Sequence, residues 1–263
     1  MIDIHSHLLP GVDDGSNEIS ESLEQLRLIA AQGVNKIYLT PHFMQHIYTN
    51  SRATTEPVMA KLRAAVQKAA IDIELELGAE FFLGDPAAEI VKRNCLTLGN
   101  SDYVLTETMM QQMPADFLEN IYDLQKAGYK VILAHPERYQ DIIRQPEIVE
   151  ELLHRDILMQ VNAGSFLGFY GNYVQKTAYY LLEHGYLHFI ASDNHGNQAN
   201  CFQKVVFQMI SENYSPAIAQ LLLQENPAAI SSNEKINIFN RWRLPKPPKN
   251  FLQNLKEFFT GHE

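Results

Sequence analysis

The first residues of the chain contain side chains whose types and spacing are suited to binding a divalent metal ion. The sequence begins MIDIHSHLLPGVDDGS, in which His5 and His7 are separated by one residue. On a β-strand this spacing places both imidazoles on the same face. Asp13 and Asp14 lie in the turn that follows. Imidazole and carboxylate ligands at the end of a first strand predict a metal site.

Residues of the same kinds recur at the ends of later β-rich segments. The further candidates are His42 of TPH, Glu80 of GAE, Glu107 of LTE, His135 of AHPER, and Asp193 and His195 of SDNH. Each one alone has an ordinary explanation, such as a solvated strand end or a carboxylate at a helix start. If each residue had its own separate explanation, all of them would have to fall on strand ends by chance. We therefore predict that they form one site with His5, His7 and an aspartate of the first turn.

The predicted ligand set also constrains the number and kind of ions. Nine ligands exceed what one catalytic ion uses, since a catalytic zinc takes three protein ligands and water. Two or three ions are therefore expected. Imidazoles and carboxylates without thiolates favour Mn²⁺, Fe or Zn²⁺ over Ca²⁺ or a structural zinc. A carboxylate such as Glu80 can bridge two ions at roughly 3.5 to 4 Å, as in two-metal hydrolytic sites.

These residues must be positioned by an alternation of strands and helices. Seven β-rich segments are predicted: IDIHSH, NKIYLT, IELELGAE, YVLTE, KVILAH, ILMQVNA and LHFIAS. Helices are predicted between them, near residues 18–32, 53–70, 86–93, 114–127, 139–154, 171–185 and 199–211. The alternation is typical of an α/β fold with a parallel sheet. We expect a single domain closed as a barrel in preference to an open doubly wound sheet, with the candidate ligands at the carboxyl ends of its strands.

Composition excludes several classes of protein. The net charge of −10 disfavours a protein that holds long nucleic acid by its phosphates, although one phosphate group could still be bound. The longest apolar runs are far shorter than the roughly 20 residues of a membrane span, and polar residues begin at Asp3. We therefore expect a cytoplasmic protein without a signal peptide. Cys95 and Cys201 predict neither a disulfide framework nor a thiolate metal site.

The end of the chain has a different character. The rhythm of strands and helices changes after about residue 212, and residues 236–263 contain the proline-rich piece RWRLPKPPKN followed by FLQNLKEFF. Helical spacing places Phe251, Leu252, Leu255, Phe258 and Phe259 on one face. We predict a barrel domain over residues 1–235. The extension is expected to pack on the barrel or on a neighbouring subunit of a homo-oligomer.

The motifs taken together resemble a known family. HSH, VDDGS, TPHF, GAEFF, LTE, AHPER, VNAGSF and SDNH are similar, in this order, to motifs of the polymerase and histidinol phosphatase (PHP) superfamily. The likeness is greatest to its bacterial tyrosine phosphatases of capsular and exopolysaccharide loci. The resemblance implies a distorted seven-stranded β/α barrel with a trinuclear metal centre. It implies nine metal ligands: His5, His7, Asp14, His42, Glu80, Glu107, His135, Asp193 and His195.

The resemblance also implies a reaction and a partner. It implies a Mn²⁺-dependent hydrolase of phosphotyrosine whose partner is a membrane-associated tyrosine kinase with a tyrosine-rich tail. Arg138 of HPER is the expected phosphate contact, and Arg138, His42 and Asp14 are the expected catalytic residues. As a hypothesis, a metal-activated hydroxide attacks phosphorus, since metal coordination lowers the pKa of water toward about 7. Asn200 departs from the pattern, which often has a second arginine there; Arg52 or Arg144 could replace it.

Two other functions remain open from the sequence. The chain could be a histidinol phosphate phosphatase, or a nuclease acting on short oligonucleotides or DNA ends. It could also be a non-catalytic partner of polysaccharide assembly that keeps its metal ions only to stabilise the fold. The complete ligand set and Arg138 disfavour the non-catalytic alternative, because a structural metal site needs no open position.

Overall fold

The strands of the protein form two sheets that run almost entirely parallel. The computed structural model describes residues 1–196, 202–239 and 242. In sequence order the strands of this part are β1 (Ile2–Asp3), β2 (Lys36–Leu39), β3 (His42–Met44), β4 (Tyr48–Thr49), β5 (Glu74–Leu77), β6 (Glu80–Phe82), β7 (Tyr103–Glu107), β8 (Lys130–Ala134), β9 (Leu158–Asn162) and β10 (Phe189–Ala191). One sheet has the order β1-β2-β5 and the other β10-β9-β8-β7-β6-β3-β4.

Helices connect the strands, as expected for parallel neighbours. They are α1 (Ile19–Ala31), α2 (Arg52–Lys68), α3 (Ala87–Asn94), α4 (Phe117–Lys126), α5 (Gln140–Arg144), α6 (Ile148–His154), α7 (Ala163–Phe166), α8 (Asn172–Glu183), α9 (Gln203–Asn213), α10 (Pro216–Gln220) and α11 (Asn226–Ser231). A π-helical turn, Leu221–Glu225, connects α10 to α11. No helix within these described bounds is both long enough and apolar enough to cross a bilayer.

The predicted α/β class with a parallel sheet in a single domain is confirmed, but the predicted closed barrel is not found. The strand ladder is divided because β2 and β5 end at Leu39 and Leu77, and the chain then bends into β3 and β6 of the other sheet. An isolated parallel bridge between Ser6 and Asn194 links the region after β1 to the region after β10. The two sheets therefore meet at this point without forming one continuous ladder.

Local sequence patterns explain why these elements form. All five residues of β7 are buried, and its sequence YVLTE is rich in residues that favour strands. In α4 the buried residues Phe117, Asn120, Ile121 and Leu124 recur at the spacing of one helical face. Elements of both kinds pack around one large apolar core, and a smaller cluster lies under α1 and α2.

Some predicted boundaries are wrong. The single helix predicted near residues 139–154 is two helices, α5 and α6, separated by a segment that contains Pro146, which cannot continue a helix. Asn17, which precedes the acidic run EISESLEQ and would be a plausible N-cap from sequence, is not the N-cap of α1, because the helix begins after Glu18. The Glu21 carboxylate accepts a hydrogen bond from the Asn17 backbone N–H at 2.7 Å.

Part of the predicted C-terminal extension lies against the folded domain. Ile236 and Ile238 are buried, and the indole Nε1 of Trp242 donates to the Leu182 carbonyl at 2.8 Å. The His188 imidazole, also buried, donates to the Ile238 carbonyl at 2.9 Å. The predicted apolar face from Phe251 to Phe259, like Asn200, lies outside the described residues. The boundary at residue 235 therefore stays a prediction.

Candidate metal centre

The structure brings all nine predicted ligands to one place, at the carboxyl ends of the strands. Parallel pairing of β3 with β6 sets His42 beside Glu80, and pairing of β6 with β7 sets Phe82 beside Glu107. A cavity of about 300 Å³ opens here. It is lined by Asp14, His42, Met44, Tyr48, Glu80, Glu107, Met110, His135, Arg138, Asp193 and His195.

The buried rings of His5 and His7 face each other through their Nε2 atoms. Both side chains are fully buried, and their Nε2 atoms are 3.1 Å apart. The Nδ1 atom of His5 lies 2.8 Å from Gln160 Oε1, and that of His7 lies 2.8 Å from a carboxylate oxygen of Asp13. Because both partners are acceptors, each neutral ring carries its proton on Nδ1 and its lone pair on Nε2. A positive charge between the two Nε2 atoms is therefore needed to make this contact favourable.

The DDGS turn is folded back onto His7 by a backbone contact that only glycine permits. A Cβ on Gly15 would lie 1.8 Å from the His7 carbonyl oxygen. The Ser16 N–H donates to the same oxygen at 3.0 Å. The turn directs Asp13 to the far nitrogen of His7, whereas Asp14, with its side chain 53% exposed, lines the cavity. The two adjacent aspartates therefore have different roles.

Glu80 lies at the centre of the cluster. Its Oε2 atom is 3.3 Å from Nε2 of His5, 3.3 Å from Nε2 of His7 and 3.0 Å from Nδ1 of His42. Its other oxygen is 2.9 Å from Nε2 of His135. Oε2 of Glu80 and Nδ1 of His42 are buried but have no hydrogen bond of acceptable geometry. Buried polar atoms are rarely left without a partner, and several ring nitrogens around one carboxylate oxygen are a fitting environment for a cation.

The nine side chains can be divided into overlapping groups whose ligand atoms are close enough to share an ion. The four groups are His7, Asp14, His42 and His195; His5, His7 and Asp193; His5, Glu80 and His135; and His42, Glu80 and Glu107. Asp13 and the four carboxylates among these residues carry five negative charges, and Arg138 carries one positive charge. With neutral imidazoles, four negative charges remain, which equals the charge of two divalent cations. The donor set thus fits more than one metal ion.

The same electrostatics shift the pKa values of the cluster. Burial by itself would lower the pKa of His42, but Glu107 and Glu80 raise it to about 10. Burial by itself would raise the pKa of Asp193, but the imidazoles of His5 and His7 hold it below its usual range. The carboxylates thus favour positive charge on the neighbouring rings. A divalent cation supplies that charge in place of protons, since metal binding requires neutral imidazoles.

Two predicted ligands have unusual backbone conformations. His135 has φ of 38° and Asp193 has φ of 53°, both in the left-handed region that non-glycine residues seldom adopt. His135 directly follows β8, and Asp193 lies two residues after the last residue of β10. Such conformations persist where the surrounding structure enforces them, and they concentrate at functional sites.

Arg138 reaches the mouth of the cavity and is held there from two sides. Its Nη1 donates to Asp193 Oδ2 at 3.1 Å, and its guanidinium carbon lies 4.7 Å from the centre of the Tyr170 ring. The side chain is 26% exposed, so donors remain available to a ligand. A guanidinium positioned by an ion pair and an aromatic face is suited to bind a phosphate group.

Strand β9 contributes no predicted ligand but holds the ligands of its neighbours. Gln160 Oε1 accepts from His5, and Gln160 Nε2 donates to Asn162 Oδ1 at 2.9 Å. Asn162 Nδ2 donates to Asp193 Oδ2 at 2.7 Å. Gln160 and Tyr170 are not among the site residues predicted from the sequence. Gln160 could have been identified from its spacing, because Gln160 and Asn162 are two residues apart on a strand end, as His5 and His7 are in the first segment.

The suggested replacements for a second phosphate-binding arginine are not supported. The guanidinium of Arg52 donates to the carbonyls of Thr97 and Gly99 at 3.1 and 2.8 Å, and it does not line the cavity. Arg144, at the end of α5, is exposed and does not line the cavity either. Among the described residues, Arg138 is therefore the arginine of the site.

Comparison with known proteins finds one matching family model and several similar relatives. A family model described as capsular polysaccharide synthesis, CpsB/CapC, matches residues 1–232. The chain is 30% identical over 249 residues to the tyrosine-protein phosphatase YwqE of Bacillus subtilis (strain 168), covering 94% of this chain and 96% of the relative. It is 32% identical over 196 residues to the putative tyrosine-protein phosphatase CapC of Staphylococcus aureus, covering 74% of this chain and 77% of the relative.

Solved structures agree with these relatives. A crystal structure from work on YwqE of Bacillus subtilis and CpsB of Streptococcus pneumoniae, described as unique metal-dependent tyrosine phosphatases, superimposes with a TM-score of 0.84 at 29% identity, over 95% of this chain and all of that chain. The phosphotriesterase homology protein of Escherichia coli shares the fold, with a TM-score of 0.60 at 13% identity over 87% of this chain and 97% of that chain. The chain belongs to the CpsB/CapC family of capsular polysaccharide synthesis.

Proposed function

We propose that this chain is a metal-dependent protein-tyrosine phosphatase that uses the nine clustered side chains as metal ligands and Arg138 as its phosphate contact. The observation that carries the proposal is the convergence of ligands from distant segments and a partly exposed arginine on one open cavity. Relatives that match most of this chain are named tyrosine-protein phosphatases.

The residues have separate tasks in this proposal. Arg138 donates two hydrogen bonds to the phosphate, and Asp193 and Tyr170 keep its guanidinium oriented. Asp13 and Gln160 hold the protons of His7 and His5 on Nδ1, so that both Nε2 lone pairs face the site. His42 and Asp14 line the open side, where they would contact both an ion and the reacting phosphate. Bound divalent ions would neutralise phosphate charge and lower the pKa of a coordinated water.

The wall of the cavity favours an aryl phosphate. Met44, Tyr48 and Met110 are part of its lining, and the Tyr48 ring is stacked on His42 with centroids 5.8 Å apart. These side chains provide an apolar surface for the ring of phosphotyrosine. In the reaction, water adds to phosphorus as the bond to the phenolic oxygen breaks, which yields tyrosine and phosphate. A phenolate with a parent pKa of about 10 leaves without a strong general acid.

The finer assignments are part of the same proposal. Mn²⁺ is the proposed metal, with Fe and Zn²⁺ as alternatives, because the donors are imidazoles and carboxylates. The proposed partner is a membrane-associated tyrosine kinase with a tyrosine-rich tail, which acts with this cytoplasmic enzyme in polysaccharide synthesis. A homo-oligomer and the domain boundary at residue 235 also stay predictions.

Turnover of three substrates side by side tests the activity. We expect the Mn²⁺-loaded protein to hydrolyse a phosphotyrosine peptide with a kcat/KM at least about 100-fold above that for histidinol phosphate, and to leave a DNA oligonucleotide intact. Such a ratio corresponds to about 2.7 kcal/mol of preferential transition-state binding. A preference for histidinol phosphate or for DNA would replace the proposal with the corresponding alternative.

A second experiment distinguishes catalysis from a structural use of the ions. His135 is the suitable position, because its side chain contacts Glu80 from the edge of the cluster. We expect His135→Gln to abolish turnover while the protein retains a cooperative melting transition. Loss of the folded state together with turnover, also in the presence of excess Mn²⁺, would favour the non-catalytic alternative.

A further inference from the structure

Three exposed apolar side chains lie on segments that also carry residues of the site. Ile47 is 67% exposed, Met109 is 52% exposed and Phe169 is 48% exposed. Each is the sequence neighbour of a residue of the site: Ile47 precedes Tyr48 and Met109 precedes Met110, both of which line the cavity, and Phe169 precedes Tyr170, whose ring contacts Arg138. We refer to Ile47, Met109 and Phe169 as the apolar rim.

The rim is built on three separate segments that follow the carboxyl ends of strands. Ile47 lies between β3 and β4, Met109 follows β7, and Phe169 follows the short helix after β9. Phe169 is supported by ring contacts with Tyr170 and Phe202, at centroid distances of 5.6 and 5.8 Å. Burial of large apolar side chains against a partner is favourable. All three belong to segments that contribute to one opening, which points to a ligand that enters this opening.

The volume of the cavity indicates which part of a substrate enters it and which part stays outside, over the apolar rim. A volume of about 300 Å³ is at the lower end of ligand pockets. It accommodates one phosphorylated side chain, while the peptide that carries this side chain stays at the mouth. Residues of an extended peptide are about 3.3 Å apart, so the neighbours of the phosphotyrosine lie over the rim.

We propose that Ile47, Met109 and Phe169 bind the residues flanking the phosphotyrosine, and that the enzyme selects phosphotyrosines with apolar neighbours. This inference rests on the proposed phosphatase function and adds the class of peptide that the site prefers. Acidic flanking residues are disfavoured, because Asp14 at the same mouth has a largely exposed carboxylate and the chain has a net charge of −10. A methionine and two rigid apolar side chains can adapt to several apolar partners without requiring one sequence.

Two phosphotyrosine peptides of equal length and net charge test the inference. One carries leucine at the two positions on each side of the phosphotyrosine, and the other carries serine there. Free phosphotyrosine is the third substrate. With the full-length Mn²⁺-loaded protein, we expect kcat/KM to be about tenfold higher for the leucine peptide than for the serine peptide, which corresponds to about 1.4 kcal/mol.

Surface variants connect this preference to the rim. The triple variant Ile47→Ser, Met109→Ser, Phe169→Ser is expected to reduce the leucine preference to less than about twofold, by the loss of apolar contact area. Tyr122→Ser is the matched control, because Tyr122 is 65% exposed on α4, outside the cavity lining. The control should keep the full preference. Melting curves of both variants establish that the folded state is retained.

The outcomes separate the two proposals. Equal kcat/KM for the two peptides, or a leucine preference that survives in the folded triple variant, would overturn the apolar rim while the phosphatase function stands. If free phosphotyrosine and both peptides are left intact by the Mn²⁺-loaded protein, the proposed function itself is wrong and the rim proposal is rejected with it.

Discussion

The Nε2 atoms of His5 and His7 lie 3.1 Å apart, and the other nitrogen of each ring is hydrogen-bonded to an acceptor. Two buried imidazoles in this arrangement direct lone pairs at one another. The chain holds them there through Gln160 and Asp13, so the arrangement is enforced by groups outside the cluster. Positive charge is therefore required for the stability of the site as well as for the reaction.

Removal of metal should affect both activity and stability. We expect a chelator to abolish phosphotyrosine hydrolysis and to lower the melting temperature, because the ligand carboxylates then repel one another. Stabilisation by a bound ion grows with the logarithm of its concentration, so the melting temperature should rise as Mn²⁺ is titrated back. Activity assays and calorimetry on the same samples check this. Full turnover by rigorously metal-free protein would contradict the assignment.

Substitution of Gly15 should displace the turn that carries Asp13 and Asp14 and so disrupt the metal site. In Gly15→Ala the new Cβ would meet the His7 carbonyl at 1.8 Å, so the backbone must move. We expect a loss of about 2 to 3 kcal/mol of stability, typical of severe overpacking, and a fall in kcat of at least about 100-fold. Chemical denaturation and steady-state kinetics measure the two effects.

Gly84→Ala is the matched control for this prediction. A Cβ on Gly84 would have only Gln45 Nε2 nearby, at 3.9 Å. Its stability and kcat should stay near those of the unsubstituted protein. Equal behaviour of the two alanine variants would show that the close approach at Gly15 is not what positions Asp13 and Asp14.

Gln160 should determine metal affinity without being a ligand. Gln160→Leu removes the acceptor of the His5 Nδ1 proton and the donor to Asn162. Loss of such outer partners typically weakens metal binding by about 10- to 100-fold. Calorimetric titration with Mn²⁺ provides a readout that does not depend on activity. In the control Gln125→Leu, the lost hydrogen bond is to the Arg155 carbonyl on an exposed surface, and Mn²⁺ affinity should be unchanged.

Arg138 should contribute through the geometry of its guanidinium as well as its charge. Arg138→Lys keeps the positive charge but loses the paired donors and the flat face that packs on Tyr170. We expect kcat/KM for phosphotyrosine to fall by about 100-fold or more, in the range found when one donor to a developing charge is removed. Arg144→Ala should have little effect. A comparable loss in Arg144→Ala would restore that residue as a phosphate contact.

His188 makes stability depend on pH in a defined direction. Burial lowers its pKa from 6.5 to about 4, and the hydrogen bond to the Ile238 carbonyl offsets this only in part. Below pH 6.5 the unfolded chain therefore binds a proton that the folded protein does not. The free energy of unfolding should decrease by about 1.4 kcal/mol per pH unit as the pH falls, up to about 3 kcal/mol near pH 4.

The contribution of His188 is measured by difference, because other groups titrate in the same range. His188→Gln should remove this part of the pH dependence between pH 6.5 and 4, although it lowers stability at pH 7. His154→Gln, at an exposed position at the end of α6, is the control. If unsubstituted protein and His188→Gln lose stability in parallel, the buried ring is not responsible for the acid sensitivity.

The sequence by itself determined the types of side chain in the site and the ends of the strands where they lie. The period-two spacing of His5 and His7, and the positions of His42, Glu107 and His135 at or just beyond the ends of β2, β7 and β8, are local properties. All seven predicted strand segments contain strands of the structure. Parallel strands with helical connections bring their carboxyl ends to one side, which is why the ligands from these segments could be expected together.

Only the tertiary structure decided how the side chains are paired. Asp13 and Asp14 are chemically identical neighbours, and the contact of Gly15 with His7 assigns one to a ring nitrogen and the other to the cavity. Gln160 contacts His5 across 155 residues of sequence, and the Tyr170 ring contacts the Arg138 guanidinium. The division of the ladder into two sheets likewise depends on packing. Distances between remote segments arise from the folded core, so no local pattern could specify them.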